Sequence, residues 1–301
     1  MSSYPPPRGT FDQVTPSIRR IVAPNPSPMT YHGTNTYLLG EKQVAVIDPG
    51  PNDDAHLSAI QAAVPEGGSI THIFVTHAHY DHSELAMQLS KTVGAPIYAF
   101  GDHQAGKSAL MKSLSERGGL GGGEGIDRAF EPDHTLSHLE SVTCDEWRIT
   151  AHHTPGHMAN HMCFQVEKFL ITADHVMDWA TSMVSPPDGD VGDFMRSCEH
   201  LLHYDWDLFL PGHGDIVRAP NERLRWLLYH RREREVQILT QLQAGPATPH
   251  ELAKEIYTDI DAKLIPVAAR NVFAHLLELH NKGLISVKKP IAFDGIFTLL
   301  S

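Results

Sequence analysis

From residue 36 onward, apolar and polar positions follow two alternating rhythms. Short runs rich in β-branched residues alternate with stretches whose apolar residues fall three or four apart. The first rhythm suits buried strands and the second suits helices that face a core. Residues 36–39 and 43–47 predict a strand pair around the turn Gly40-Glu41-Lys42, and Asp48-Pro49-Gly50 closes the second strand. Residues 54–64 are spaced as a helix. Residues 70–75 read as a buried strand that ends directly on Thr76 and His77. A helix over 83–93 and a strand over 97–99 follow.

Residues 101–128 read as a long loop with Gly118, Gly119, Gly121, Gly122, Gly123 and Gly125 near its centre. No phosphate-loop pattern occurs in it, so a surface loop or a lid over a site is expected. Strands are expected within 134–150, most clearly over 147–150, and a hairpin over 161–166 and 169–172. A loop bearing Pro and Gly covers 177–191. It is followed by a helix over 194–203 and a strand over 206–210 that runs into Pro211-Gly212-His213-Gly214. Strands that come first and then alternate with helices predict stacked sheets flanked by helices.

Beyond Pro220 the rhythm changes. A long helix is expected over 222–243, capped by Asn221 and ended by Gly245-Pro246. Thr248 and Glu251 have the spacing of a capping box at the start of a second helix. A third helix, over 267–282, has an apolar face of Val272, Phe273, Leu276, Leu277 and Leu279, and Gly283 stands where a C-cap is expected. Two β segments, 284–287 and 291–299, complete a small winged-helix-like unit. The expected division is therefore 1–220 for a catalytic body and 221–301 for the tail.

Charge supports two units with different surfaces. Residues 1–217 carry 12 basic and 27 acidic side chains, whereas residues 218–301 carry 12 and 9. The net charge of −12 disfavours a surface that binds duplex nucleic acid. No apolar run approaches the roughly 20 residues of a membrane span, and the Pro-rich start lacks the apolar core of a signal peptide. Cys144, Cys163 and Cys198 are scattered, as expected of free thiols in the reducing cytoplasm.

The chain holds 21 histidines, and their positions matter more than their number. His77-Ala78-His79-Tyr80-Asp81-His82 places four candidate metal ligands in six residues between a strand and a helix. Imidazoles and a carboxylate together suit a borderline divalent cation, zinc ahead of iron or manganese. Thr154-Pro155-Gly156-His157 presents a histidine on a tight turn, Asp174 ends an apolar strand, and His213 lies on a second Gly-rich turn. Three further strand ends thus deliver ligand types to loops.

HxHxDH, a TPGH turn, a strand-end Asp and PGHG, in this order, resemble the metallo-beta-lactamase superfamily over residues of about 30 to 218. The resemblance implies an α/β fold, an αββα sandwich, and two divalent metals. By it, His77, His79 and His157 hold the first metal; Asp81, His82 and His213 hold the second; Asp174 bridges them. Ser83-Glu84 stand where many thioesterase-type members have two glycines, and Ala173 stands where a glycine is usual. The segment Gly33-Thr34-Asn35-Thr36-Tyr37-Leu38 and the winged-helix-like tail resemble the beta-lactamase-like 2 subgroup, which includes a single-strand RNA endonuclease.

The expected chemistry is hydrolysis by a hydroxide that bridges two metals, with Asp81 also orienting the water. A small ester, thioester or lactone suits the acidic body, so a small-molecule partner is expected ahead of RNA. The endoribonuclease alternative rests on the helix carrying Arg223, Arg225, Trp226, Tyr229, Arg231, Arg232 and Arg234. An iron-dependent oxygenase, or a sensor with a DNA-binding winged helix, is a further alternative. The tail's third helix offers only Arg270 and Lys282 to a major groove, so packing or a homodimer contact suits it better. His153, His161 and His175 are candidate proton donors or partners of the ligands. Asn35 and Tyr37 are candidates to reach the cleft, with Asp178 behind them.

Overall fold

The computed structural model describes residues 4–118, 120, 125–259 and 261–300. One sheet runs in the order β1 (Phe11–Gln13), β2 (Ile18–Val22), β3 (Asn35–Leu39), β4 (Gln43–Ile47), β5 (Ser69–Phe74), β6 (Ile97–Ala99) and β7 (His134–Thr135). Its first four strands are antiparallel neighbours and its last four are parallel. The second sheet contains β8 (Ser141–Thr143), β9 (Arg148–His153), β10 (Met162–Val166), β11 (Phe169–Ala173) and β12 (Leu208–Pro211), with β12 and β11 parallel.

The sheets face one another. Ile18, Tyr37, Leu39, Ile47 and Phe74 of the first meet Ile149, Met162, Phe164, Ile171 and Leu210 of the second. The opposite face of the first sheet, with Leu38, Val44, Val46 and Ile73, packs on α1 (Asp54–Ala62) and on the helix that follows the HxHxDH turn. That helix is in two pieces, α2 (Tyr80–Ser83) and α3 (Ala86–Val93), rather than the single one expected. Burial on both faces explains why β4 reads as a nearly unbroken apolar run, while β5 is buried mainly toward its end at Ile73 and Phe74.

A short helix, α4 (Ala109–Arg117), lies inside the stretch expected to be loop. Ser108 caps it, and Met111 and Leu114 are buried in the core of the tail. The flanking glycines hid its apolar spacing. Gly119 and residues 121–123, the centre of the expected lid, lie outside the described residues.

The outer face of the second sheet packs on α5 (Val191–Leu201) and the first half of α6 (Pro220–Ala244) through Phe194, Leu201, Leu224 and Leu227. The layers are therefore αββα. Ala219, not Asn221, occupies the N-cap of α6, with Pro220 in the first turn. Pro tolerates that place because the N–H it lacks has no helical partner there. Asn221 instead donates its Nδ2 to the Tyr204 carbonyl.

The second half of α6 joins another core, where Ile238 and Leu242 meet α7 (Pro249–Ile256), α8 (Ile265–Asn281), β13 (Ile285–Val287) and β14 (Phe297–Leu299). The capping box forms: Thr248 accepts from Glu251 N–H while the Glu251 carboxylate accepts from Thr248 N–H. The apolar face of α8 is buried within the chain itself, against α7, α6 and the antiparallel β13–β14 pair.

Candidate metal centre

One edge of the sandwich collects the chemistry. β4 and β5 are parallel and end there on Asp48 and on Thr76-His77. β9 and β11 both pair antiparallel with β10, so they run the same way and deliver the His157 turn and Asp174 to one end. β12, parallel to β11, delivers His213. The two sheets are stitched together at this edge, where Asn35 N–H donates to the Gly212 carbonyl and Met162 N–H to the Thr76 carbonyl.

All seven expected ligands converge. One ligand atom from each of His77, His79, His157 and Asp174 falls in a group whose members lie within 4.8 Å of one another, and Asp81, His82 and His213 form a second such group. His79 Nδ1 lies 3.0 Å from His77 Nε2 and 3.1 Å from His157 Nε2. Asp174 faces both groups. Its Oδ2 is 3.5 Å from His157 Nε2, and its Oδ1 is 3.4 Å from His82 Nε2 and 3.3 Å from His213 Nε2. Asp81 Oδ2 lies 3.2 Å from His213 Nε2 and accepts from the Thr34 hydroxyl at 3.3 Å.

The outward ring nitrogens are held separately, which fixes the tautomer and direction of each ring. His157 Nδ1 meets the Met183 carbonyl at 2.7 Å, His213 Nδ1 the Gly33 carbonyl at 3.3 Å, and His77 Nδ1 the Thr76 hydroxyl at 3.0 Å. His82 Nδ1 bonds Asp48 Oδ2 at 2.8 Å. The same carboxylate accepts from Thr76 N–H and Oγ1, each at 2.8 Å. Nothing in the sequence marked Asp48 beyond its place at a strand end; its signal was that β4 ends beside the strand feeding HxHxDH.

The two groups differ in charge. Burial pushes His79 down to about 3, and the neighbouring His157 adds to this. Burial also holds His77 well below the usual imidazole range. In the second group burial is outweighed: Asp174 and Asp81 push His213 up to about 9 and, together with Asp48, raise His82. Burial opposes ionisation of Asp81 and Asp174 too, but His82 and His213 hold both below the usual carboxylate range.

The residues fit divalent cations. His82 Nε2 and Asp174 Oδ1 are buried and make no hydrogen bond, a costly arrangement unless something else engages them. Gly212 keeps that space open, because a Cβ there would stand 2.6 Å from Asp174 Oδ1 and 2.7 Å from His82 Cε1.

Residues 29–213 match the model of the metallo-beta-lactamase superfamily. The chain belongs to that superfamily. Residues 248–290 also match the beta-lactamase associated winged helix domain. The beta-lactamase-like protein 2 homolog of Drosophila melanogaster is 30% identical over 92% of this chain and 92% of its own. An atrochrysone carboxyl ACP thioesterase of Passalora fulva is 27% identical over 82% of this chain and 69% of its own. Among solved structures, a beta-lactamase domain protein from Burkholderia ambifaria superposes with a TM-score of 0.80 at 20% identity, covering 98% of this chain and 95% of that one.

Two departures from the superfamily pattern have local explanations. Ser83 Oγ donates to the His79 carbonyl, and Asp127 Oδ2 lies 2.9 Å from the same hydroxyl; the Glu84 carboxylate accepts from Asn52 N–H. Ala173 adopts φ 41°, a left-handed conformation that favours glycine, at a register shift between β11 and β12.

Other expected site residues take different places. His161 and His175 are buried behind the ligands, His161 with its ring centroid 5.0 Å from that of His77. His153 stacks flat on Phe100 at 3.8 Å and bonds the Ala159 carbonyl. Asn35 and Tyr37 do not line the cleft; both donate to the Pro211 carbonyl, and Asn35 also to that of Gly214, which braces the His213 turn. Asp178 is exposed and feels Arg223.

The basic helix is divided between inward and outward side chains. Arg231 is 2% exposed; it donates to the Ser182 carbonyl and Asn271 Oδ1, with its guanidinium over Phe194. Arg223 donates to the Met177 and Ala180 carbonyls, Arg232 pairs with Glu199, and Arg234 lies over Tyr257. Arg231 is therefore turned inward and, with Arg223, clamps residues 177–182, whereas Arg225, Trp226, Tyr229 and Arg232 stay exposed. Among the described residues, no helix is long and apolar enough to cross a membrane.

Proposed function

We propose that this chain is a hydrolase that uses two divalent cations to cleave a small thioester, ester or lactone. The observation that carries this is Asp174, whose two carboxylate oxygens face two separate groups of ligand atoms. His77, His79 and His157 would hold one cation, and Asp81, His82 and His213 the other, with Asp174 shared. Cations held there would supply a water of pKa lowered from about 15.7 toward 7 and a Lewis acid for the scissile carbonyl. The nitrogen and carboxylate donor set suits zinc, and also iron or manganese.

The chain's own groups orient the reaction. Asp81 Oδ2, held by the Thr34 hydroxyl, is the acceptor that orients the attacking water. The outward bonds of His82, His157 and His213 keep their Nε2 lone pairs aimed at one place. A thioester is favoured within the class because two relatives are named as acyl-carrier thioesterases, and the class as a whole is favoured over RNA because the acidic body offers little to a polyanion.

The test is metal analysis of the purified protein combined with thioesters, lactones, β-lactams and single-stranded RNA as substrates. Two metals per chain and turnover of a thioester or lactone are expected. Asp174→Ala should lose at least one metal and activity together. Full metal content and activity in that variant would falsify the two-metal reading.

A further inference from the structure

Two rim segments hold ligand histidines by their backbones and turn large apolar side chains to solvent. Residues 29–33 supply the Gly33 carbonyl to His213 Nδ1 and carry Met29 at 57% and Tyr31 at 45% exposure. Residues 179–183 supply the Met183 carbonyl to His157 Nδ1 and carry Trp179 at 37% and Met183 at 43%. Tyr80, between ligands His79 and Asp81, is 42% exposed. Apolar groups at such exposure mark a contact surface when they cluster, and these cluster around the metal centre.

Their arrangement is built. Tyr31 stacks on Trp179 with ring centroids 5.0 Å apart and planes at 19°, and the His32 ring lies tilted at 55° with its centroid 4.0 Å from that of Tyr31. Trp179 rests on Gly214, where any Cβ would collide with the indole. The second glycine of the PGHG turn thus seats this ring immediately beside a ligand. Both segments are also stiff. Asn25 bonds Thr34 twice and its carbonyl accepts from the Thr30 hydroxyl. Arg223 and Arg231 fix three residues of the other segment's approach, through the carbonyls of Met177, Ala180 and Ser182, while the Ser182 hydroxyl donates to the His175 carbonyl. Ordered apolar side chains lose little entropy on contact, so a ledge of this kind favours binding more than a floppy one does.

We propose that Tyr31 and Trp179, flanked by Met29, Met183 and Tyr80, form a specificity ledge that receives a bulky apolar acyl group of the substrate. This rests on the hydrolase reading above. The rings supply a flat wall and the two methionine thioethers adapt to shape, a combination that suits an aryl or long alkyl acyl group and gives no advantage to an acetyl group.

The test compares wild type, Trp179→Ala, Tyr31→Ala and Trp179→Phe, each with verified metal content, on acetyl, decanoyl and benzoyl thioesters. Loss of the ledge should lower kcat/KM for decanoyl and benzoyl substrates about tenfold or more and for acetyl less than about twofold, with Trp179→Phe restoring most of it. A second arm measures binding of naphthoate and of acetate to the metal-free protein by calorimetry. Wild type should bind naphthoate and lose it in Trp179→Ala. If no thioester is hydrolysed but naphthoate binding depends on Trp179, the ledge stands and the hydrolase reading falls. Equal effects of Trp179→Ala on all three thioesters, or naphthoate binding indifferent to Trp179, overturn the ledge.

Discussion

Removing the Asp48 carboxylate tests how far the proposed metal centre depends on a residue outside its two groups of candidate ligands. Three donors end on it at 2.8 Å: Thr76 N–H, Thr76 Oγ1 and His82 Nδ1. Thr76 and His82 are wholly buried, so water cannot replace the lost acceptor. Each orphaned donor costs about 1–3 kcal/mol, giving about 3–6 kcal/mol for Asp48→Ala allowing for some relaxation. Asp48 also has φ 51°, where Ala is strained by about another 1 kcal/mol. The sum is comparable with a typical total stability of about 5–15 kcal/mol.

Asp48→Asn separates the two contributions. Asparagine tolerates the left-handed backbone and keeps one acceptor oxygen, so its loss should be about 1–3 kcal/mol. Guanidinium unfolding of the metal-free protein reads the stability, and competition with a chelator reads metal affinity. With its outer partner gone in Asp48→Ala, His82 should cost the proposed second site about 10–100-fold in affinity, and Asp48→Asn, which keeps an acceptor, less. An Asp48→Ala protein within 1 kcal/mol of wild type, or one whose metal affinity is unchanged, would refute the reasoning.

Gly212→Ala should fold but bind the second metal poorly, because its methyl enters the space between Asp174 Oδ1 and His82; stoichiometry by elemental analysis and circular dichroism check both halves. Arg231→Ala leaves the Ser182 carbonyl and Asn271 Oδ1 unmet and should cost about 2–5 kcal/mol in chemical denaturation, while any weak RNA retention at low salt stays as in wild type. Burial holds His56 at about 4 against its ordinary 6.5, so it folds neutral, and the unfolded chain binds its proton first as pH falls. Its contribution is therefore intact above pH 6.5 and lost as pH falls from 6.5 through 4, by up to about 3 kcal/mol. His56→Gln should flatten that part of the stability–pH curve, and an unchanged curve counts against the assignment.

The part of the site legible in the sequence is the part that chemistry marks residue by residue. Four candidate ligands in six residues at a strand end, repeated as single ligands on two Gly-bearing turns and one further strand end, left few readings other than a metal cleft, and all seven side chains meet. The strands were legible for a related reason: burial on both faces forces apolar runs on β4 and β11 that local rules detect. What escaped was set by pairing across the chain. Asp48 looks like an ordinary strand terminus until β4 lies beside β5. Helix α4 is short and flanked by glycines, and its apolar residues are explained by a tail core that begins more than a hundred residues later. Arg231 shows the same limit from the other side. An Arg-rich helix with aromatics has the composition of a polyanion-binding face, and only the positions of Phe194, Ser182 and Asn271 turn its central arginine inward. Composition located the charge, but the distribution of acceptors around it decided that the helix clamps the loop beside His157.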